Sequence, residues 1–133
     1  MGEVENVELV RKLYDVMGRP NLEGLAELVT ADVELVVPGP PQLPMAGVWR
    51  GISGVQQCLQ TLRQAQENLA MEFLDFVADG DTVVVRLHAK ARVHKTGRVF
   101  ESDIVHFFKI RDGRIALLQD FLDTHAVVDA FDA

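Results

Sequence analysis

From Thr82 to His94 the sequence alternates without a break. Val83, Val85, Leu87, Ala89, Ala91 and Val93 fall on one side of an extended chain. Val84, Arg86, His88, Lys90, Arg92 and His94 fall on the other. A period of two marks a β-strand with one buried face and one wet or partner-covered face. Such a strand needs antiparallel neighbours whose apolar faces look the same way, and other elements to cover them.

The flanking sequence holds candidates for both. Met71 to Ala78, Arg98 to Ile110 and Arg114 to Asp123 read as further strands, punctuated by Asp79-Gly80-Asp81, Thr96-Gly97 and Asp112-Gly113. An Asp-Gly pair between strand-like runs is a strong hairpin signal, because Gly accepts positive φ at no steric cost. Links this short predict an antiparallel meander. Upstream, residues 3–17 place Val4, Val7, Val10, Tyr14 and Met17 at helical steps with Leu13 beside them, and Gly18 and Pro20 close the helix. Asn21 is the expected N-cap of a short second helix with Leu22, Leu25, Leu28 and Val29 inward. Glu34 to Val37 reads as a short strand ended by Pro38. Ser53 is the expected cap of a third helix that carries Val55, Leu59 and Leu62 and ends near Asn68. This order predicts one α+β domain over residues 1–133, with three helices packed on a curved, mostly antiparallel sheet. A sheet that curls over helices leaves a cone with a mouth, the shape of a small-molecule pocket.

Residues 38–50 form a break with four prolines and two glycines. Proline has no N–H to give a sheet interior. Yet the segment also holds Leu43, Met45, Val48 and Trp49, so it reads as a stiff apolar lid or pocket wall. Met45, Val48 and Trp49 are expected at the cone's contents or rim. Tyr14 and Trp49 read equally as mouth or core.

Composition narrows the function. The net charge of −7 argues against nucleic acid and anionic membranes, which are bound mostly through clustered Lys and Arg. The basic group Lys90, Arg92, His94, Lys95 and Arg98 reads as a solvated strand face. One cysteine, Cys58, permits no disulfide within the chain and reads as buried packing. The N-terminus lacks an apolar signal segment, and no apolar run approaches the ~20 residues of a membrane span, so the expected location is cytoplasmic. No metal-ligand spacing, phosphate loop or nucleophile elbow is present, and neither metal nor cofactor is expected.

Several motifs resemble the SnoaL-like branch of the NTF2-like superfamily. They are Leu13-Tyr14-Asp15, Asn21-Leu22-Glu23-Gly24-Leu25, Ala31-Asp32-Val33-Glu34, Val37-Pro38-Gly39-Pro40-Pro41, Ala46-Gly47-Val48-Trp49-Arg50-Gly51 and Arg111-Asp112-Gly113-Arg114-Ile115. The resemblance implies a cone-shaped fold with an apolar small-molecule pocket. It does not fix the function, since that superfamily holds isomerases, cyclases, hydrolases, dehydratases and pure binding modules. Where ketosteroid isomerases carry two acids and a pocket tyrosine, this chain has Val37, Val105 and Leu13, which disfavours their mechanism. Asp120 matches the pocket acid that limonene-epoxide hydrolases carry on the final strand. Their other Arg-and-Asp pair finds only Arg86-Leu87-His88, so that triad is incomplete.

Period two sets Leu118, Asp120 and Leu122 on one face of the final strand, and Asp103, Val105 and Phe107 on one face of the strand before it. The resemblance implies that both sets look into the cone. Two carboxyls in one apolar site cannot both ionise cheaply, which suits acid–base catalysis. Asp120 and Asp103 are therefore the candidate catalytic residues. Tyr14, Val37, Met45, Trp49, Val105, Phe107 and Leu118 are the candidate substrate-binding residues. His106, of opposite parity, reads as structural, and His88 as surface or interface. The expected ligand is a small apolar molecule. The protein is either a cofactor-free isomerase, cyclase or hydrolase, a non-catalytic binding module, or a dimer whose cone is self-filled. A homodimer is expected through the outer sheet face, with Ile104, Phe108 and Ile110 as its apolar patch.

Overall fold

The computed structural model describes residues 2–132. The elements run α1 (Glu3–Met17), α2 (Leu25–Leu28), β1 (Val29–Val37), β2 (Gly47–Arg50), α3 (Gly51–Ala65), β3 (Gln66–Asp79), β4 (Thr82–Val93), β5 (Val99–Arg111), β6 (Arg114–Leu122) and α4 (Thr124–Phe131). The fold is α+β, and its one six-stranded sheet has the order β2-β1-β6-β5-β4-β3. Only β1 and β6 run parallel; all other neighbours are antiparallel. The strand read from alternation behaves as its pattern requires: Val83, Val85, Leu87 and Val93 are all 0% exposed.

Helices α1 and α3 lie across the inner face. On α1 the buried stripe is Asn6, Leu9, Val10, Leu13 and Val16, while Val4 is 75% exposed. The inward face is thus rotated from the expected one, with Tyr14 and Met17 at its border. Arg63 of α3 ties the two helices together by donating to the carbonyl oxygens of Met17, Arg19 and Pro20. These carbonyls have no intrahelical partner at the end of α1.

Several expected boundaries move. Asn21 is exposed and caps nothing. Gly24, at φ 96°, precedes α2 instead, and Val29 already belongs to β1. Ser53 lies inside the first turn of α3 rather than capping it, and β3 takes over at Gln66. The proline-rich segment contains a strand: Gly47–Arg50 pairs with β1, Val48 opposite Val36. Before it, the chain turns inward on Leu43 N–H to Pro40 O and Ala46 N–H to Leu43 O bonds, burying Leu43 and Met45. The final helix α4 was not expected at all. Asp123 caps it through Ala126 N–H, and Val127, Ala130 and Phe131 pack against the core. Its last carbonyls are met by Thr96 and Arg98 from the β4–β5 turn.

One irregularity sets the faces of the central hairpin. Asp112 and Gly113 take φ of 52° and 74°, the two positive angles of a tight turn. Arg111 then pairs with Arg114, and Ile110 with Ile115, but Lys109 pairs with Leu117. Ala116 is therefore a bulge, the extra residue that shifts all later pairings by one. His106 consequently stands opposite Asp120, a place a regular hairpin would give to Val105. This overturns the expected parity of β5. Phe100, Ile104, His106, Phe108 and Ile110 face inward, and Phe108 is 0% exposed. Ile104, Phe108 and Ile110 accordingly cannot form an outer patch. Asp103, Val105 and Phe107 turn to the outer face.

Candidate functional site

Between α1, α3, α4 and the inner face of the sheet lies a cavity of about 1050 Å³. Its walls are mostly apolar, with Leu35, Val37, Met45, Leu87, Leu118 and Leu122 among them. Its exposed lining residues, including Arg11, Asp15, Arg63 and Met71, place the mouth between α1, the end of α3 and the edge strand β3.

Inside, three polar side chains from three elements meet. Tyr14 projects from α1, His106 from β5 and Asp120 from β6. The Tyr14 hydroxyl lies 2.7 Å from His106 Nδ1. Phe73, at a centroid distance of 4.6 Å, and Phe108, edge-on at 5.9 Å, hold the Tyr14 ring in place. Burial first, and the negative charge of Asp120 second, push the Tyr14 phenol well above its ordinary value of 10.0. The phenol keeps its proton, so Tyr14 donates and Nδ1 accepts, which assigns the histidine proton of the neutral ring to Nε2.

That Nε2 lies 3.2 Å from Asp120 Oδ1. The contact is close but not aligned as a hydrogen bond, and Oδ1 is shielded from solvent with no hydrogen-bond partner. Protein groups so placed normally find a partner. A carboxylate oxygen and an N–H thus stand side by side, both directed at the cavity rather than fully satisfied by each other. Cys58 also lines the cavity. Its thiol is pushed up to about 12 by burial and by the Asp120 charge, so it stays protonated and unreactive at neutral pH.

Of the residues singled out in the sequence, Asp120, Tyr14, Val37, Met45 and Leu118 line this cavity. Asp103 does not. Its side chain is 79% exposed on the outer face, with Oδ1 2.9 Å from His88 Nδ1. Asp103 foremost, and then Glu101, raise the His88 pKa. Val105 and Phe107 share that outer face. Trp49 does not line the cavity either; its Nε1–H donates to Met45 O and braces the loop. His106, read as structural, is the polar group the sequence reading missed. Only the Ala116 bulge signals its direction, and alanine carries no residue-level mark of a bulge. Among the described residues no three His, Cys, Asp or Glu side chains group closely enough to hold a metal ion.

Comparison with known proteins agrees with this architecture. The SnoaL-like domain model matches residues 10–118. An uncharacterized protein of Mycobacterium tuberculosis H37Rv is 28% identical over 132 residues, covering 98% of this chain and 98% of the relative. An NTF2-like protein from Burkholderia xenovorans LB400 superimposes with a TM-score of 0.90 and 31% identity, over 99% of each chain. A putative SnoaL-like polyketide cyclase from Jannaschia sp. CCS1 gives a TM-score of 0.80 over 98% of this chain and 94% of its own, at 21% identity, a likeness of fold.

Proposed function

The chain belongs to the SnoaL-like family, and from that premise we propose that its cavity binds a small, mostly apolar carbonyl compound and moves a proton on it without a cofactor. The observation that carries this reading is the sheltered, unpartnered Oδ1 of Asp120 beside the Nε2–H of His106. A carbon acid bound against the two would lose its α-proton to Asp120. His106 Nε2–H would donate to the carbonyl oxygen as that oxygen gains negative charge. The proton on Asp120 then returns to another carbon of the same enolate, giving an isomer. Alternatively the enolate carbon attacks a second carbonyl, which takes the proton, closing a ring. Tyr14 reaches the substrate through His106 only: it is a positioning residue that holds the imidazole in the tautomer with Nε2–H.

Apolar walls orient the body of the ligand, and the desolvated site strengthens the few polar contacts. The outer sheet face supports a homodimer, with Val105, Phe107, Leu117 and Phe121 in place of the residues first expected; Phe121 is 48% exposed.

Deuterium exchange tests the reaction. Cyclic ketones and 1,3-diketones that bind the protein should exchange their α-protons faster in D₂O with the wild type, and not with Asp120→Asn. If ketones bind but none exchanges above the buffer rate, the cavity is a binding module and the catalytic reading falls.

A further inference from the structure

The rim of the cavity carries a cation that the fold itself does not use. Arg11 lies on α1 one turn before Tyr14 and lines the cavity. Its guanidinium sits 3.9 Å above the ring of Phe76. Arginine is well suited to such a face, and the stacking fixes its position while leaving its N–H edge free. Five other arginines pair with carboxylates, and Arg63 and Arg98 donate to backbone carbonyls. Among the described residues Arg11 has neither an ion pair nor a hydrogen bond. In a chain with 20 acidic and 13 basic residues, an unpaired cation at a cavity mouth is out of keeping with the background.

The neighbouring charges sharpen the point. Asp15, also on the rim, is engaged by Arg19 at 2.8 Å. Arg63, on the far side of the mouth, spends its donors on three carbonyls but keeps its positive charge. The mouth is therefore net positive, whereas the floor holds the Asp120 carboxyl. A ligand carrying an anion would be repelled by the floor and attracted to the rim, which fixes its direction of entry.

We propose that the natural ligand is an organic anion with an apolar, ring-bearing body, a carboxylate being its simplest form. Its charged group is bound by Arg11 at the mouth and its uncharged end reaches His106 and Asp120. This rests on the reading of the cavity as a ligand site.

Two fluorescent probes of nearly the same body test it: anionic 8-anilino-1-naphthalenesulfonate and neutral N-phenyl-1-naphthylamine. Arg11→Gln should weaken the anionic probe about tenfold and leave the neutral one unchanged. Arg11→Lys should recover most of the loss. Wild-type affinity for the anionic probe should fall with added salt, and that of Arg11→Gln should not. Ala89→Trp, which fills the cavity, should abolish both. The proposal is overturned if Arg11→Gln leaves the anionic probe unaffected, if it weakens both probes equally, or if Ala89→Trp still binds the anion as wild type does. Failure of both probes to bind the wild type would remove the ligand-site reading as well. Binding of the neutral probe with Arg11-independent binding of the anion would leave that reading standing and remove this one alone.

Discussion

Replacing Asp120 by Asn should make the protein more stable while removing its activity. The carboxylate side chain is 19% exposed, its Oδ1 is shielded without a hydrogen-bond partner, and no cation other than a protonated His106 lies within ion-pair distance. At pH 8 an imidazole is ordinarily neutral, so that compensation is absent. Leaving a buried acceptor unsatisfied costs ~1–3 kcal/mol, more for a charge and less for a group that solvent partly reaches. The remaining exposure points to the low end, about 1 kcal/mol. Asparagine keeps the volume and removes the charge, so the variant should gain roughly that amount. For a chain of this size, 1 kcal/mol corresponds to about 3 °C in Tm. Differential scanning fluorimetry of the two proteins at pH 8, with circular dichroism to confirm the fold, reads the shift. A Tm lowered by as much as it was expected to rise would mean that Asp120 is a structural partner of His106. The reasoning from the unsatisfied oxygen to function would then be refuted.

The remaining expectations use other parts of the fold. Tyr14 is the one tyrosine in the chain, so absorbance at 295 nm reads it alone. Its folded-state pKa lies above the unfolded value of 10.0, so its contribution to stability is intact below pH 10 and is lost as pH rises further. Native protein should show no phenolate step near pH 10, and Asp120→Asn, which removes the second cause of the shift, should bring the step down; a normal step in the native wild type refutes the Tyr14 geometry. Cys58 should resist iodoacetamide at pH 8 until the protein unfolds, and rapid native labelling would contradict its burial. Phe107→Asp should yield a monomer by light scattering at micromolar concentration, whereas a wild-type monomer would end the dimer proposal. Deleting Ala116 should turn Leu118 outward and Gln119 inward; loss of the Leu118 burial alone costs about 2 kcal/mol, and an unchanged Tm would show the bulge to be incidental.

The fold was legible where a pattern is long and local chemistry decides. Twelve residues of alternation fixed β4, and Asp112-Gly113 fixed the hairpin after β5. Boundaries set by tertiary contacts were not legible. Asn21 and Ser53 are good caps by residue type, but the chain enters α2 through Gly24 at positive φ and α3 from the pairing of β2. Strand β2 was hidden because prolines precede it and because its only sheet partner is β1. Helix α4 follows β6 so closely that Asp123 read as the end of a strand, though its side chain is the helix cap.

The site turned on a single residue. Parity along β6 was right, since Leu118, Asp120 and Leu122 all reach the cavity. Parity across to β5 was wrong because one-for-one pairing outward from Asp112-Gly113 sets Val105, not His106, opposite Asp120. The bulge at Ala116 lies between the turn and the site, so it reverses one strand's face relative to the other while leaving each strand's own alternation intact. Nothing in either strand alone records that reversal. Its effect is chemical as well as geometric. A regular hairpin would have left Asp120 beside a valine, a lone acid in an apolar cone. The extra residue brings an imidazole against it and, through that imidazole, the Tyr14 phenol. A bulge near an active site commonly re-aims a side chain in this way. Here it changes a single carboxyl into an acid–base pair that can remove a proton and stabilise the charge left behind.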